Sequence, residues 1–267
     1  MIVNFFKNEI IKMIHSKKMY ILLVFVTFMV AAICYMIYLD KINIINDVPK
    51  TRQYTSHLKM DILNMNSVIF LKHFSTEFVF RTVVPYFVFF MVVFSVGIFG
   101  EDFFSGNMKH FIRLDKSHVN IFKAKVLSLI VYSLLTVFVN LVLGFIISSM
   151  VFKISFNGLG RIILIYLSSV IPVASFGLII GIMSMFIKNK TVSIIIGIVT
   201  SIFLTVSDRL TFTSSFSPIG VLGLMDKVRA DNISLRSLFL ANVTSIIYLM
   251  VAYFIGKKIF KNKEFDF

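Results

Sequence analysis

Few side chains in this sequence could do chemistry, and their spacing does not assemble a reactive centre. The only adjacent acidic residues are Glu101 and Asp102. Neighbouring residues point about 100° apart on a helix, so these two carboxylates should not converge on one metal or substrate. The five histidines show no metal-ligand spacing with one another or with carboxylates; they are His15, His57, His73, His110 and His118.

Recognisable catalytic motifs are also absent from the sequence. Gly256-Lys257 is the nearest fragment of a phosphate-binding loop, but Lys258 stands where Ser or Thr is needed. No Gly-x-Ser-x-Gly nucleophile turn occurs. The single cysteine, Cys34, excludes a disulfide within one chain. We therefore expect that the chain is not an enzyme and holds no cofactor or metal of its own.

The composition indicates which elements must position these residues. Of 267 residues, 58% are hydrophobic and 15% are charged, and the mean hydropathy is +0.90. So few polar residues cannot cover a soluble domain, whereas helices in lipid need no polar surface. The net charge of +14 comes from short Lys/Arg clusters that flank apolar runs. That pattern favours contact with an anionic membrane surface and no nucleic-acid partner.

Runs without charged residues predict six membrane-spanning helices in one transmembrane domain that covers residues 1–267. About 20 residues are needed to cross the hydrocarbon core, and the fifth run is the shortest. The six runs are 19–39, 82–100, 126–152, 162–187, 191–207 and 237–256. We expect an all-α integral membrane protein. Its first span should be retained in the membrane rather than removed as a signal peptide.

Lysine and arginine counts predict the orientation of the spans. With both termini in the cytoplasm, the inner segments hold 15 of these residues and the longer outer segments hold 12. This bias has the sign expected for a bacterial plasma membrane protein. Lys17-Lys18 before the first span and Lys257-Lys258 after the sixth are its clearest parts.

The segments between spans differ in character. Residues 1–18 alternate apolar and polar side chains with a helical period, which predicts an amphipathic helix in the inner membrane interface. The segment 40–81 is long enough to have its own structure, and we expect short extracellular helices there. We expect 208–236 to fold back against the outer face of the bilayer.

The six runs contain no ionisable residue, which disfavours proton-driven transport and a charged ion pore. Their uncharged polar residues have two interpretations, hydrogen bonding between helices or the lining of a substrate path. Asn140, Ser168 and Ser175 are the candidates for such a path. Gly177, Gly181 and Gly197 are small residues that allow close helix packing, within the chain or between subunits. Pro172 predicts a kink in the fourth span.

The stretch 101–114, between the second and third spans, carries apolar side chains outside the predicted bilayer core. Phe104, Met108 and Phe111 alternate with charged and polar residues, and glycines at 100 and 106 bound part of it. An exposed aromatic segment in the cytoplasm should dock on something. It is either a helix lying on the membrane or a short coupling helix inserted into a partner protein.

This stretch resembles the first cytoplasmic loop of ABC-2 type transporter permeases. Glu101, Gly106, Asn107, Lys109 and Lys125 stand in the family's positions, with Asn107 in place of the commoner Thr and His118 where an Arg is common. The N-terminal helix and the basic tail after the sixth span are also similar to that family. The likeness covers the whole chain in order and span count, and the chain is similar to small six-span bacterial permeases of the peptide- and toxin-export or bacteriocin-immunity type.

The resemblance implies a working unit of two permease subunits, identical or different, and two cytoplasmic ATPase subunits that bind ATP and Mg²⁺. The coupling helix would pass the movement of the ATPases to the spans. Phe104, Met108 and Phe111 would then be apolar anchors, with Glu101 and Lys109 at the rim of the ATPase groove.

The expected function is outward transport of hydrophobic or amphipathic substrates, such as peptides or toxins, at the expense of ATP hydrolysed by the partner. A drug, lipid or sodium exporter of the same class remains an alternative. So do an ATP-independent membrane transporter or channel, and a non-transporting immunity or scaffold protein.

Overall fold

A computed structural model describes residues 2–49, 54–74, 86–104, 118–187, 189–207 and 235–262. Its secondary structure over these ranges is ten helices and one isolated bridge, between Asn66 and Lys153. The helices are α1 (Ile2–Ile14), α2 (Lys17–Ile45), α3 (Ser56–Leu63), α4 (Ser67–Phe74), α5 (Tyr86–Phe104), α6 (His118–Val151), α7 (Leu159–Ser168), α8 (Val170–Ser184), α9 (Lys190–Ser207) and α10 (Leu235–Asn262).

Four helical stretches are long and apolar enough to cross a membrane: Lys17–Ile45, Val119–Val151, Leu159–Ser184 and Asn242–Lys261. They coincide with the first, third, fourth and sixth predicted spans. The second predicted span overlaps α5, and the fifth overlaps α9, whose apolar part Lys190–Leu204 is shorter. The chain is therefore an all-α protein with the helices of a membrane protein.

Helices α5 and α8 form the centre of the bundle. Helix α5 packs against α6, α8 and α9, and α8 also packs against α6, α7 and α10. Small residues allow this approach: a side chain on Gly177 or Gly181 of α8 would collide with Met91 or Phe99 of α5. Because lipid offers no hydrophobic force between helices, such close packing is a main source of their association.

Gly197 of α9 faces α5 in the same way, against Val92. All three glycines singled out in the sequence thus contact helices of the same chain, which is one of the two packing arrangements that the sequence left open. Ser95 adds a polar link, since its hydroxyl donates to the carbonyl of Gly177.

The fourth predicted span is interrupted at Ser169, between α7 and α8. Pro172 lies three residues later, has no N–H for the carbonyl of Ser168, and its ring crowds that carbonyl. The hydroxyls of Ser168 and Ser169 donate back to the carbonyls of Ile165 and Tyr166, at 2.7 and 2.6 Å. Such bonds favour bending of a helix.

Helices continue past the charge-free runs from which the spans are predicted. Helix α2 runs to Ile45 rather than 39, and α6 begins at His118 rather than 126. Helix α5 continues to Phe104, so Glu101 and Asp102 lie in its last turn, directly after the predicted second span.

The predicted interhelical segments are described in part. Helix α1 covers most of the predicted amphipathic N-terminal segment, and it packs against α6. The segment 40–81 contains α3 and α4 as short helices, but α4 is buried against α6, with Phe70, Leu71 and Phe74 fully enclosed. The loop predicted at 208–236 lies outside the described residues up to 234.

Candidate functional site: a charged junction

Charged side chains from five helices meet where α5 ends. We call this group the charged junction; it comprises Glu9, Lys12, Lys18, Glu101, Asp102, Lys125 and Lys190. Adjacent positions on α5 diverge around the helix, as the sequence predicts for Glu101 and Asp102. Asp102 faces α1 and α6, whereas Glu101 faces α2 and α9.

The charged junction has a buried inner half around Asp102 and a more exposed outer half around Glu101. Lys125 is at the centre of the inner half. Its side chain is 1% exposed, and its ammonium group donates to the Asp102 carboxylate and, at 2.5 Å, to the carbonyl of Ile98. The Glu9 carboxylate lies 3.6 Å away. Burial of a lone ammonium costs several kcal/mol, and here two carboxylates and a carbonyl offset that cost.

Lys12 joins α1 to the same pair. Its ammonium group lies 3.2 Å from Oδ1 of Asp102, the carboxylate oxygen that Lys125 does not contact, and 3.5 Å from the Glu9 carboxylate. Glu9 and Met13, which are four positions apart on α1, are both buried. Asp102 is thus held by one lysine from α1 and one from α6. A single carboxylate thus joins two consecutive helices, α5 and α6, to α1 at the start of the sequence.

The pKa of the Asp102 carboxyl follows from these contacts. Burial by itself would raise it, because a carboxylate is poorly solvated in the protein interior. The charges and hydrogen bonds of Lys125 and Lys12 outweigh burial, and the pKa of Asp102 is lowered below its ordinary value. Asp102 is therefore ionised at neutral pH.

Glu101 forms the outer half of the charged junction. Its carboxylate lies 3.2 Å from Lys18 of α2 and 3.0 Å from Lys190 of α9. Partial burial works to raise the pKa of Glu101, and the two lysines lower it overall. The side chain is 52% exposed, so these pairs are solvated and weaker than those of Asp102.

A cleft of about 510 Å³ lies beside the charged junction. Helix α1, the start of α2 and the end of α5 form its walls, with Phe94 and Ile98 on the apolar side. Charged groups on the other side come from both halves of the junction, including Lys12, Glu101 and Asp102. The cleft opens next to the end of α5, where the chain continues into 105–117.

The arrangement joins five helices through ion pairs. Each of its three carboxylates lies within 4 Å of at least one lysine ammonium. Over the ranges that the structure describes, no three His, Cys, Asp or Glu residues are grouped so as to hold a metal ion.

The predicted coupling residues are described only in part. Glu101 belongs to the charged junction, and Phe104 is the half-buried last residue of α5, with its ring beside Gly100. The remaining predicted coupling residues lie outside the described residues: Gly106, Asn107, Met108, Lys109 and Phe111.

The candidates for a substrate path bond to their own helices. The amide of Asn140 donates to Thr136 O at 2.8 Å, and the hydroxyl of Ser175 donates to Pro172 O at 2.8 Å. Both side chains are fully buried, and Ser168 is half-buried and bonded to Ile165. None of the three lines the cleft beside the junction.

The sequence did not single out Glu9, Lys12 and Lys125 as partners of the acidic pair. One signal was present in α1, where Phe5, Glu9 and Met13 follow one another at spacing i, i+4, i+8 on one side of the helix. A carboxylate between apolar neighbours on the buried side of a helix needs a buried cation.

No family model matches this chain, and no characterised protein sequence matches it.

Proposed function

We propose that the chain is the membrane-spanning permease subunit of an ATP-binding-cassette exporter. Six spans with both termini in the cytoplasm of a bacterial cell would carry hydrophobic or amphipathic substrates, such as peptides or toxins, outward. The observation that carries the proposal is the charged junction, because it joins the two helices that flank residues 105–117 to each other and to α1.

A transmission element needs stiff connections at both of its ends. Asp102 lies two residues before the end of α5, and Lys125 lies two helical turns after the start of α6. The buried ion pair between them fixes the spacing of the two helices. A force applied to 105–117 would therefore reach α5 and α6 as one unit, and α1 through Glu9 and Lys12.

Helix lengths are consistent with a charged junction at one surface of the bilayer, which would be the inner surface if both termini are cytoplasmic, as proposed. Helix α2 has no charged residue between Lys18 and Asp40, and α6 has none between Lys125 and Lys153. At about 1.5 Å per residue these stretches are roughly 32 and 40 Å long, which matches a bilayer. They begin at the charged junction, so the junction would lie at the inner surface, where an ATPase could reach 105–117.

In this proposal ATP and Mg²⁺ are bound by two ATPase subunits, and a second permease subunit completes the translocation path. Phe111 would insert in the groove of an ATPase, as would Phe104 and Met108. The chain itself would supply the spans, the coupling segment and the rigid junction.

The test is co-purification with a candidate ATPase, sought first in the neighbouring reading frames. We expect the Phe111→Asp variant to insert in the membrane normally and to lose most of the bound ATPase, because a charge cannot enter an apolar groove without a partner. Phe156→Asp is the matched control, since Phe156 is 70% exposed and lies in the linker that follows α6, away from the charged junction. It should keep the ATPase.

Three outcomes would contradict the proposal. Equal ATPase recovery with Phe111→Asp would remove that residue from the interface. Transport by vesicles that contain this chain without any ATPase would favour an ATP-independent transporter. A stable complex whose ATP hydrolysis does not respond to any of a panel of amphipathic peptides would favour an immunity or scaffold protein.

A further inference from the structure

A second cleft lies at the opposite ends of α2 and α6, and nothing in the proposed transport cycle uses it. Its volume is about 450 Å³. Two lysines line it, Lys41 from α2 and Lys153 from the linker after α6, together with the side chains of Asn64, Asn66 and Ser155. We call it the lysine cleft.

The walls of the lysine cleft are fixed by hydrogen bonds. The N–H of Ser67 donates to the carbonyl of Lys153 at 3.1 Å, and the Ser67 hydroxyl bonds both the N–H and the carbonyl of Ser155, at 3.0 and 3.1 Å. The linker after α6 is thereby held against the turn between α3 and α4. The lysine cleft is a formed feature of the fold, which lowers the entropic cost of filling it.

Asn66 is oriented by the same turn. Its side-chain oxygen accepts hydrogen bonds from the N–H groups of Val68 and Ile69, at 3.0 and 2.9 Å, at the start of α4. Both acceptor positions of the amide are used in this way, so what Asn66 retains for a ligand is its NH₂ donor.

The charge of the lysine cleft is positive. No acidic residue lines it among the residues that the structure describes, and over the same ranges Lys41 and Lys153 form no ion pair. Nearby carboxylates have other partners: Asp61 lies 3.2 Å from His73, and Asp40 accepts a hydrogen bond from Tyr54. Two ammonium groups and amide donors around one cavity are suited to an oxyanion such as a phosphate.

The position of the lysine cleft along the spanning helices indicates that the anion belongs to a lipid headgroup. Lys41 follows Asp40 at the end of the charge-free stretch of α2, and Lys153 lies two residues beyond the end of α6. At the rise of a helix they are roughly 36 and 42 Å from Lys17 and Lys125. That is the distance between the headgroup layers of a bilayer. Large apolar side chains are exposed next to the cleft: Met150 is 80% exposed, Ile154 62% and Phe156 70%.

We propose that the lysine cleft binds the phosphate of an anionic phospholipid, with Lys41 and Lys153 as the cationic ligands and the acyl chains along the exposed apolar side chains. The site would hold one lipid of the leaflet opposite to the charged junction. This binding does not depend on the identity of any transported substrate.

The experiment is native mass spectrometry of the full chain, purified in a mild detergent and mixed with phosphatidylglycerol or with phosphatidylcholine of the same acyl chains. We expect selective retention of phosphatidylglycerol. The double variant Lys41→Gln, Lys153→Gln should retain at least about tenfold less, since each lysine near a membrane surface contributes on the order of a fivefold preference for anionic lipid.

Two control variants separate the site from general charge and from misfolding. Lys59→Gln removes one positive charge from α3, outside the lysine cleft, and should retain the lipid as the unaltered chain does. Lys41→Arg, Lys153→Arg keeps both charges and should also retain it. The single variants Lys41→Gln and Lys59→Gln each remove one positive charge, so a difference in lipid retention between them reports on the position of the charge.

Equal retention of the two lipids would overturn the proposal, and so would unchanged retention in the double glutamine variant. Inorganic phosphate at millimolar concentration is the further probe. If it displaced phosphatidylglycerol from the cleft, the site would take free phosphate, and the assignment to a lipid would be wrong.

Discussion

Lysines at one end of α2 and α6 are paired with carboxylates of the chain, whereas lysines at the other end line an open cavity. In the charged junction, Lys125 is enclosed and satisfied by the carboxylates of Asp102 and Glu9. In the lysine cleft, Lys41 and Lys153 line an open cavity that has no acidic residue among its described lining. A charge that is balanced inside the chain holds helices together, whereas a charge that is not balanced there remains available to a ligand.

The same difference appears in what each region does for the fold. Removing one partner of a buried ion pair leaves an uncompensated charge in the interior, which is strongly destabilising. Removing a solvated lysine leaves no such penalty. Stability measurements on matched lysine variants therefore discriminate between a structural and a binding role.

The largest effect is expected for Lys125→Met. Asp102 and Glu9 would keep their buried carboxylates without their main cation, at a cost of about 3–5 kcal/mol. We expect a large fall in the apparent Tm in detergent, measured by fluorescence-detected size-exclusion chromatography. Lys153→Met, the same substitution in the lysine cleft, should change stability by about 0.5 kcal/mol or less.

A compensating variant sharpens this test. Lys125→Met combined with Asp102→Asn and Glu9→Gln removes all three charges, and it should regain much of the lost stability because no charge is left unpaired. If Lys125→Met and Lys153→Met lowered the Tm equally, the distinction between the two regions would be wrong.

The pH dependence of Asp102 gives the second-largest effect. Asp102→Asn should cost about 1.5–3 kcal/mol at neutral pH, the range for hydrogen bonds to charged groups. Because the pKa of Asp102 is lower in the folded chain than in the unfolded one, its contribution is complete above the unfolded value of about 4. It is lost as the pH falls through the lower folded value.

Thermal unfolding of the unaltered chain and of Asp102→Asn should thus converge as the pH is lowered below about 4. The Lys41→Gln, Lys153→Gln variant keeps Asp102 and its two lysines, so its difference from the unaltered chain should show no such convergence. A constant difference for Asp102→Asn down to pH 2 would show that its carboxylate does not stabilise the fold as an anion.

Substitution of a glycine in the uncharged middle of the bundle provides a scale for the effects at its ends. A methyl group on Gly181 would collide with the ring of Phe99 and lie 2.8 Å from the Ser95 hydroxyl oxygen. Gly181→Ala should cost about 1–3 kcal/mol, the range for overpacking of a filled interior. Gly160→Ala is the control, because nothing lies within 4 Å of the added methyl group and alanine favours the helix.

The sequence predicts the helices of this chain better than their contacts. Charge-free runs locate the apolar cores of α2, α6 and α10, since hydropathy alone decides which segments can lie in lipid. They do not show that α6 begins eight residues before the third run, because Lys123 and Lys125 interrupt the apolar pattern there. In the structure Lys125 lies within α6 and is buried, because Asp102 and Glu9 from two other helices balance its charge.

Neither charged region could be predicted in full from local patterns. Glu9 and Lys125 are separated by 116 positions, and their contact depends on how α1 packs against α6. The lysine cleft exists because the linker after α6 pairs with the turn before α4, through Ser67 and Lys153. The spacing of residues within one segment carries no information on contacts between distant segments. The different directions of Glu101 and Asp102, in contrast, follow from helix geometry alone.

The smallest effect is expected for Glu101, which lies between the two cases because it is paired but solvated. Its carboxylate contacts Lys18 and Lys190 with 52% of the side chain exposed. Glu101→Gln should cost about 0–1 kcal/mol, and the difference should vanish in about 1 M salt, where screening acts over roughly 3 Å. The effect of Lys125→Met should persist in the same salt, because the buried pair is shielded from ions. A salt-resistant loss for Glu101→Gln as large as that for Lys125→Met would mean that the two halves of the charged junction hold the helices equally, and that burial does not decide which charges are structural.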